Sequence, residues 1–227
     1  MLSPSSNLMI KQFNSDKYDK LLPSFQLVCL EAGQLIFRPH ETIQYVFFPV
    51  SAIIAMQIDI SDGSSVDIVL IGKEGMVGSG VMGGNQNFSR ARVKFAGFAY
   101  KLPLSVFQSE LAQNSAFLKI WMAATRQMIL QIAMPTVCSS KHSNEQQFIR
   151  WLMNTLDKTQ GHSLQVTHQE IADTLGIRRE SVTLAAGKLS HEGLIEVTRG
   201  HMQVLDRPKL EAMACECYRV MHPAKQH

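Results

Sequence analysis

The spacing of apolar residues changes along the chain and divides it into three zones. Between about Leu27 and Leu102, glycines separate short apolar runs, several of which alternate apolar and polar residues with period two. β-branched and aromatic residues are frequent there, which is typical of half-buried strands. Short strands at this spacing predict a sandwich or barrel, and Asp62-Gly63 between two runs is a hairpin signal. The runs are Leu35–Phe37, Tyr45–Phe48, Ile53–Met56, Val66–Leu70 and Ala91–Phe95.

Helix-forming residues replace glycine from about Leu104 to Cys138. Apolar side chains occupy nearly every side of the predicted helix between Phe117 and Met134, and such a helix has to be covered on more than one face. One face is expected to lie on the β domain, and a second copy of the chain is the simplest cover for the other. Pro135 is expected to kink or end this helix. A second helix is predicted from Ser143 or Asn144 to Lys158.

The stretch between about Thr167 and Ser190 has the pattern of a helix-turn-helix. The sequence Thr167-His168-Gln169-Glu170 is a capping box, which satisfies the first free N–H groups of a helix. Gly176 follows that helix, at a position where a helix end favours positive φ. The next helix begins at Arg178-Arg179-Glu180. Its predicted buried face has the spacing i, i+3, i+4, i+7 and consists of Val182, Ala185, Ala186 and Leu189.

Two short strand patterns come next, Leu194–Thr198 and His201–Leu205, joined by Arg199-Gly200. A hairpin behind the second helix predicts a winged helix-turn-helix, a module that reads DNA through its second helix. After Pro208 one last short helix is predicted, from Lys209 to Cys217.

The outward side of the second helix supplies the candidate DNA contacts. Arginine can fork to guanine O6 and N7, and glutamate can accept from cytosine N4, so this side is expected to meet base edges. Lysine and arginine further from the first turn are candidates for phosphate contacts. The candidate base-edge residues are Arg178, Arg179, Glu180, Ser181 and Thr183, and the candidate phosphate contacts are Lys188 and Arg199.

Composition is compatible with this interpretation without requiring it. A chain of 227 residues with 45% hydrophobic and 18% charged residues can bury a core in one large or two small domains. The net charge of +3 is mildly basic. Between Gln160 and Leu210, however, six Lys and Arg residues balance six Asp and Glu residues. The electrostatic argument for DNA therefore depends on local clustering.

The cysteine spacing and the apolar segments argue against zinc-ribbon, thioredoxin-like, secreted and membrane proteins. The 4 cysteines form no C-x-x-C pair, so no zinc ribbon or thioredoxin-type site is predicted. The N-terminus lacks the pattern of a signal peptide, and charged residues interrupt the apolar stretch from Phe117 to Val137, so no membrane span is predicted. A reducing cytoplasm is the expected location. No catalytic residues, metal ligands or cofactors are predicted, because no nucleophile–base set or metal signature is present.

The run from Val166 to Arg207 resembles the C-terminal domain of the Crp/Fnr family of bacterial regulators. The order of a β-rich domain, a long helix and a winged helix also matches, and the likeness covers about residues 20 to 215. In the N-terminal part it rests on spaced glycines and on the segments EGMVGSGVMGG and SRARV. The resemblance implies a homodimer that binds a two-fold symmetric site on double-stranded DNA. RNA polymerase is a further candidate partner.

The family fold implied is α+β, with a jelly-roll sensor related to cyclic-nucleotide-binding domains, a long dimerisation helix and a winged helix-turn-helix. The expected limits are residues 1–110, 111–141 and 142–217, followed by a tail at 218–227. Arg179 and Glu180 match the family's base-reading pair. Leu184 stands where many members have a second base-reading arginine, so the half-site sequence is expected to differ.

The effector site implied by the resemblance is altered in this chain. Members that bind cyclic AMP hold the ribose with a Gly-Glu pair and the phosphate with an Arg-Ser or Arg-Thr pair. Here the pairs are Gly78-Ser79 and Arg90-Ala91, which lack the carboxylate and the hydroxyl. Losing a charged hydrogen bond costs about 1.5–3 kcal/mol, so cyclic AMP is expected to bind weakly or not at all. The small-molecule effector is left unknown.

Two other functions stay open at this point. One is a ligand-binding signalling module whose helix-turn-helix does not contact DNA. The other is a thiol-based redox regulator that uses Cys215 and Cys217, with Cys138 as a further candidate. No cysteine precedes Cys29, which argues against the iron–sulfur sensors of the family. A haem sensor would need an axial histidine or cysteine in a pocket, and a lone residue such as His40 is weak evidence for one.

Overall fold

The apolar runs of the first zone pair into two antiparallel sheets. The computed structural model describes residues 3–13, 19–61, 63–78, 88–159 and 161–222. The strands are β1 (Gln26–Leu30), β2 (Leu35–Phe37), β3 (Tyr45–Pro49), β4 (Ile53–Asp59), β5 (Ser65–Ile71), β6 (Arg90–Phe95) and β7 (Gly97–Pro103), preceded by 3₁₀ turns at Pro4–Ser6, Ile10–Gln12 and Leu22–Ser24. In the described residues one sheet has the strand order β1-β7-β3 and the other β2-β6-β4-β5. Every predicted run lies in a strand, so the prediction of an all-β first zone is confirmed.

Two glycines occupy positions between these strands where a larger residue would be strained or would clash. Strands β4 and β5 pair antiparallel up to Asp59 opposite Ser65, and Gly63 has the positive φ of 86° that a tight turn needs. Asp62, the other residue of the predicted hairpin signal, lies outside the described residues. At Gly97 a Cβ would lie 2.5 Å from the backbone nitrogen of Ala52. Only glycine fits where β7 begins.

The helical zone is divided at Asn114, which the sequence did not predict. Helix α1 (Leu104–Gln113) ends there and helix α2 (Ser115–Lys141) begins. The buried Asn114 side chain accepts a hydrogen bond from the Phe117 backbone N–H at 3.2 Å, as an N-cap does. The break brings Phe107 and Phe117 within 5.3 Å of each other, ring centroid to ring centroid, in the core that also contains Phe48.

A kink or an end of the helix was expected at Pro135, and helix α2 does not end there. The helix continues to Lys141 with Pro135 inside it. An interior proline removes one backbone hydrogen bond and costs about 3 kcal/mol. Burial on both sides offsets this cost, because Met134 and Cys138 belong to a buried apolar cluster with the C-terminal segment.

One side of α2 leaves large apolar residues in solvent. We call this set the exposed stripe; its members recur about every turn or two along the helix. They are Met122, Ile129, Ile132 and Val137. Within the described residues, no helix combines the length and the apolar character needed to cross a membrane.

The remaining elements form the predicted helix-turn-helix, hairpin and tail. They are α3 (Asn144–Lys158), β8 (Ser163–Gln165), α4 (His168–Leu175), α5 (Arg179–His191), β9 (Ile195–Thr198), β10 (His201–Val204), α6 (Arg207–Met213) and α7 (Glu216–Met221). The hairpin β9–β10 is confirmed, and β8 adds an unpredicted third strand on β10. The α+β fold class with a winged helix-turn-helix is therefore confirmed.

The predicted single tail helix from Lys209 to Cys217 is wrong. Two short helices replace it, because Ala214 and Cys215 have extended backbones with ψ of 140° and 164°. This turn lets both Cys215 and Cys217 be buried. The chain divides into two compact units, Met1–Met128 and Ile129–His227; the four-part division given above stays a prediction.

The crowding at Gly97 gives a stability prediction. Replacing Gly97 by Ala forces its Cβ onto backbone atoms, and we expect the free energy of unfolding to fall by about 1–3 kcal/mol. Gly187 is the matched control, since it lies inside α5 and a Cβ added there would meet nothing within 4 Å. Gly187→Ala should instead stabilise the protein by roughly 0.5–1 kcal/mol. Urea unfolding followed by circular dichroism checks both values, and equal effects would contradict this account.

Candidate nucleic-acid interface

Local hydrogen bonds fix where the two helices of the motif begin and end. The Thr167 hydroxyl accepts from the Glu170 N–H at 3.2 Å, while the Thr167 N–H donates to the Glu170 carboxylate at 2.8 Å. The predicted capping box at the start of α4 is thus confirmed. Gly176 ends α4 in the left-handed conformation, with φ of 66°. Helix α5 begins two residues after Ile177, with the extended Arg178 as its N-cap.

Burial of one face sets the rotation of α5 about its axis. The four predicted inner residues are all buried, as are Ile171 and Ala172 of α4. The small side chain of Ala172 permits the two helices to approach closely. The inner residues of α5 are Val182, Ala185, Ala186 and Leu189.

The opposite side of the first turn of α5 is a cluster of exposed charged side chains. Arg178, Arg179 and Glu180 are all exposed, and Ser181 is half-buried. In the part of the chain that the structure describes, the first three make no ion pair within the protein. Two guanidinium groups and one carboxylate are therefore available to a partner, which is the set that forks to guanine and accepts from cytosine.

Thr183, a predicted base contact, also forms hydrogen bonds within the protein. Its hydroxyl donates to the Arg179 carbonyl oxygen at 3.1 Å and lies 3.0 Å from Nδ1 of His168. The hydroxyl thus joins α4 to α5. Burial lowers the pKa of His168, and the charge of Arg179 lowers it further. Sequence reasoning missed His168, because a histidine inside a capping box gives no signal of a contact fifteen residues further on.

Leu184 is the apolar member of this outer face. Its side chain is 75% exposed, in a helix whose other large apolar residues are buried. It lies one residue beyond Thr183 and about one turn from Arg179 and Glu180. An apolar side chain on such a face can contact the C5 methyl group of thymine.

The two predicted phosphate contacts also differ from each other. Lys188 donates to both carboxylate oxygens of Glu145 in α3, at 2.9 and 2.8 Å. These bonds and the charge of Glu145 raise the pKa of Lys188. Arg199 is exposed at the β9–β10 turn, next to Gly200 with φ of 73°. The wing tip therefore carries an exposed cation, whereas Lys188 is already paired.

Among the described residues of the predicted effector site, Gly78 lies beside strand β3, whereas Arg90 and Ala91 belong to strand β6 of the other sheet. Val77 bridges Phe47 of β3, and the adjacent Gly78 has φ of 97°, with a Cβ position only 2.7 Å from the Tyr45 carbonyl oxygen. That crowding explains the glycine without a ligand. Ser79 lies outside the described residues.

Arg90 and Ala91 begin strand β6. Ala91 is fully buried in the apolar core. Arg90 forms an ion pair with Asp59 of β4, and Lys94 forms another with Asp67 at 3.2 Å. The guanidinium that the resemblance assigns to a phosphate is thus neutralised within the sheet.

Four further side chains meet in the second unit, three of them the cysteines considered above for redox chemistry and the fourth a histidine that sequence reasoning did not include. They are Cys138 at the end of α2, His142 just after it, and Cys215 and Cys217 from the tail, with ligand atoms all within 4.8 Å of one another. Burial raises the pKa of Cys138 and raises the pKa of Cys217 to about 12. Such thiols are protonated near neutral pH and react slowly as nucleophiles.

Comparison with known proteins identifies the helix-turn-helix. Residues 146–213 match the model of the Crp-like helix-turn-helix domain. That range runs from the first turn of α3 to the end of α6 and contains every predicted DNA contact. The curated proteins include no match to the chain.

Solved structures resemble the chain over most of its length. FixK2 from Bradyrhizobium japonicum aligns with a TM-score of 0.69 at 13% identity, over 84% of this chain and 98% of that one. A putative Crp/Fnr-family transcriptional regulator from Eubacterium rectale gives 0.68 at 15% identity, over 92% and 98%. A CRP/FNR-family regulator from Thermus thermophilus gives 0.65 at 20% identity, over 83% and 98%.

At these identities the likeness is one of fold. It supports the resemblance that the sequence indicated for the N-terminal domain, and the helix-turn-helix match supports it for the C-terminal domain. The chain therefore has the fold of these regulators and contains a Crp-like helix-turn-helix domain at residues 146–213.

Proposed function

We propose that this chain is a sequence-specific DNA-binding transcription regulator, which acts as a homodimer on a two-fold symmetric site. The observation that carries the proposal is the exposed set of Arg178, Arg179 and Glu180 in the first turn of α5, which forms no ion pair within the described residues. That turn belongs to a Crp-like helix-turn-helix domain. In such modules the N-terminal residues of the second helix meet base edges in the major groove. A cytoplasmic protein without enzymatic activity follows from this function.

Base reading is assigned to the side chains that the protein leaves exposed. Arg179 and Arg178 supply bidentate donors for guanine, and Glu180 supplies an acceptor for cytosine. Thr183 holds the first turn of α5 in place, because its hydroxyl bonds to the Arg179 carbonyl oxygen and to His168. Leu184 adds an apolar contact suited to a thymine methyl group, in place of a second arginine.

Phosphate contacts are assigned to the wing and to α5. Arg199 at the wing tip is exposed and can reach a backbone phosphate. Lys188 must exchange the Glu145 carboxylate for a phosphate. Because an exposed ion pair contributes only about 0–1 kcal/mol, this exchange is energetically feasible.

The exposed stripe of α2 supports the homodimer. Several large apolar side chains left in solvent on one helix are unfavourable for a monomer. A second α2 packed against it would cover these side chains by the same contacts on both helices, as a two-fold axis requires. The same symmetry is expected of the DNA site.

The ion pair of Arg90 with Asp59 supports an effector other than cyclic AMP. A phosphate at Arg90 would have to displace the Asp59 carboxylate and lacks a hydroxyl donor at the buried Ala91. Weak or absent binding of cyclic AMP thus stays the prediction. A signalling module without DNA binding, the rival function, gives no reason for three exposed charged residues side by side on α5.

Substitution of Arg179 tests the proposed base reading. Arg179→Ala removes a bidentate contact without touching the inner face of α5. We expect a loss of about 1–3 kcal/mol per half-site and a relaxed preference at one base pair. Selection from randomised duplexes by the full-length protein measures both. An unchanged affinity and sequence preference would contradict the assignment.

Lys188 provides the sequence-independent contrast to Arg179. Lys188→Ala should weaken binding to all duplexes alike, since phosphates carry no sequence information. The matched control combines Lys188→Ala with Glu145→Gln. If Lys188 binds phosphate, the double variant stays weak; if Lys188 only neutralises Glu145, affinity returns.

A charge in the exposed stripe tests the dimer. Ile129→Glu places two carboxylates against each other across the two-fold axis, and we expect the dimer dissociation constant to rise at least about tenfold. Leu27→Glu in β1 is the control, because Leu27 is also exposed but belongs to a strand and not to α2. Sedimentation should give wild type and control near twice the 25.4 kDa chain mass. A monomeric wild type would overturn the homodimer.

The pKa shift of His168 makes stability depend on pH. A histidine whose pKa is lowered in the folded state binds fewer protons than in the unfolded chain, so stability is lost as the pH falls below about 6.5. In His168→Asn, whose amide can replace Nδ1 as partner of Thr183, this part of the loss should vanish. Urea unfolding between about pH 8 and pH 5 measures it. Parallel curves for the two proteins would show that His168 does not titrate in this way.

A further inference from the structure

Three thiols and one imidazole converge at the end of α2. Cys138 and His142 are one helical turn apart, and the His142 N–H donates to the Cys138 carbonyl oxygen at 2.9 Å. Cys215 and Cys217 approach them from the turn between α6 and α7. The sulfur atoms of Cys138 and Cys215 belong to residues 77 positions apart, yet lie 3.8 Å from each other. Folding thus assembles a donor set that no sequence motif shows.

Two of the separations between these donor atoms match a tetrahedral metal site. With Zn–S bonds of about 2.3 Å and a Zn–N bond of about 2.0 Å, neighbouring ligands lie about 3.8 Å apart for two sulfurs and about 3.5 Å for sulfur and nitrogen. The Cys138 and Cys215 sulfurs are 3.8 Å apart, and the Cys217 sulfur is 3.6 Å from His142 Nδ1. All four donor atoms lie within 4.8 Å of one another.

The histidine is oriented as metal-bound histidines are. Its Nε2 lies 3.2 Å from the Glu216 carboxylate. A hydrogen on Nε2 donated to that carboxylate leaves the lone pair of Nδ1 free, 3.6 Å from the Cys217 sulfur. A carboxylate behind a ligating imidazole fixes both tautomer and ring orientation in zinc sites.

The surroundings also balance the charge of a filled site. A divalent cation with three thiolates and a neutral imidazole has a net charge of −1. The buried Arg150 interacts with Cys138, and its Nε has no hydrogen-bond partner in the described residues. Its guanidinium can neutralise the excess charge.

We propose that Cys138, His142, Cys215 and Cys217 bind one Zn²⁺ ion in a closed, four-ligand structural site. Thiolate and imidazole donors favour Zn²⁺ among the divalent metals of the cell, and four protein ligands leave no position for a substrate. On binding, each of the three thiols releases its proton to solvent. The prediction of no metal site missed this group because a C-x-C pair distant from a C-x₃-H pair matches no common zinc spacing.

The ion would fasten the tail to the α2–α3 turn. His142 is followed directly by Ser143, the N-cap of α3, and its carbonyl oxygen accepts from the Gln147 side chain at 3.0 Å. On the tail side, Cys217 lies in α7, whose Met221 packs in the same cluster. Metal binding therefore stabilises the connection that enters the helix-turn-helix domain.

Metal content and a cobalt spectrum test the site in the full-length protein. After purification under reducing conditions and incubation with Zn²⁺, followed by removal of free metal, we expect one zinc per chain by mass spectrometry of the elements. Replacement by Co²⁺ should give strong visible bands of tetrahedral cobalt and a near-ultraviolet thiolate-to-cobalt band. Strong chelators should lower the Tm of the zinc protein.

Substitutions distinguish zinc binding at this site from zinc binding by the other cysteine of the chain. Cys215→Ser and His142→Ala should each lower zinc affinity at least about tenfold and change the cobalt spectrum, as loss of one ligand does. Cys29→Ser is the matched control, because Cys29 is exposed and outside the cluster. If a variant fails to fold, as judged by circular dichroism, the cobalt spectrum of the wild type still decides.

Two results would overturn the proposal. One is a reduced, folded wild type that retains no zinc and gives only the weak spectrum of hexaaqua cobalt. The other is zinc binding that Cys29→Ser abolishes and Cys215→Ser leaves intact. A Cys138–Cys215 disulfide, found by peptide mapping in protein that takes up no zinc after reduction, would assign the cluster to redox chemistry instead.

Discussion

Burial of the inner face of α5 is the interaction on which the DNA-facing surface depends. Four residues of that face, two of them alanines, are buried and leave the helix little freedom to rotate. A rotation of α5 that exposed Val182 or Leu189 would cost about 1.5–3 kcal/mol per side chain. The direction of Arg179 and Glu180 therefore follows from apolar packing on the opposite side of the same helix.

Hydrogen bonds and an ion pair also fix the positions of α3, α4 and α5, which apolar packing alone would leave free to shift. The capping box of Thr167 and Glu170 fixes the start of α4, and the Thr183 hydroxyl ties α5 back to His168. Glu145 connects α3 to α5 through Lys188. Each helix of the motif is thus fixed to another by a hydrogen bond or an ion pair as well as by its apolar face.

The features that the sequence predicted are those set by local pattern. Period-two runs located five strands, and the buried face of α5 followed from its spacing, because both depend on side chains close in the chain. The break at Asn114 and the third strand β8 were not predicted, and the continuation of α2 through Pro135 was one of two outcomes expected there. Each is decided by burial against residues distant in sequence, as with Met134 and Cys138 against the tail.

The candidate sites divide in the same way. Arg178, Arg179 and Glu180 were predicted, since position on a helix face is a local property. The pairing of Lys188 with Glu145 and of Arg90 with Asp59 was not, because charge partners come from other elements. The four-residue cysteine and histidine cluster lay beyond sequence reasoning for the same reason.

The exposure of Leu184 has a thermodynamic consequence. In the free protein three quarters of this side chain is in water, on a face otherwise made of charged groups. Apolar surface in water raises the heat capacity, and its removal on binding lowers it. Contacts of arginine and glutamate with base edges bury little apolar area and contribute little to that change. The heat capacity of complex formation would therefore report on Leu184 separately from its charged neighbours.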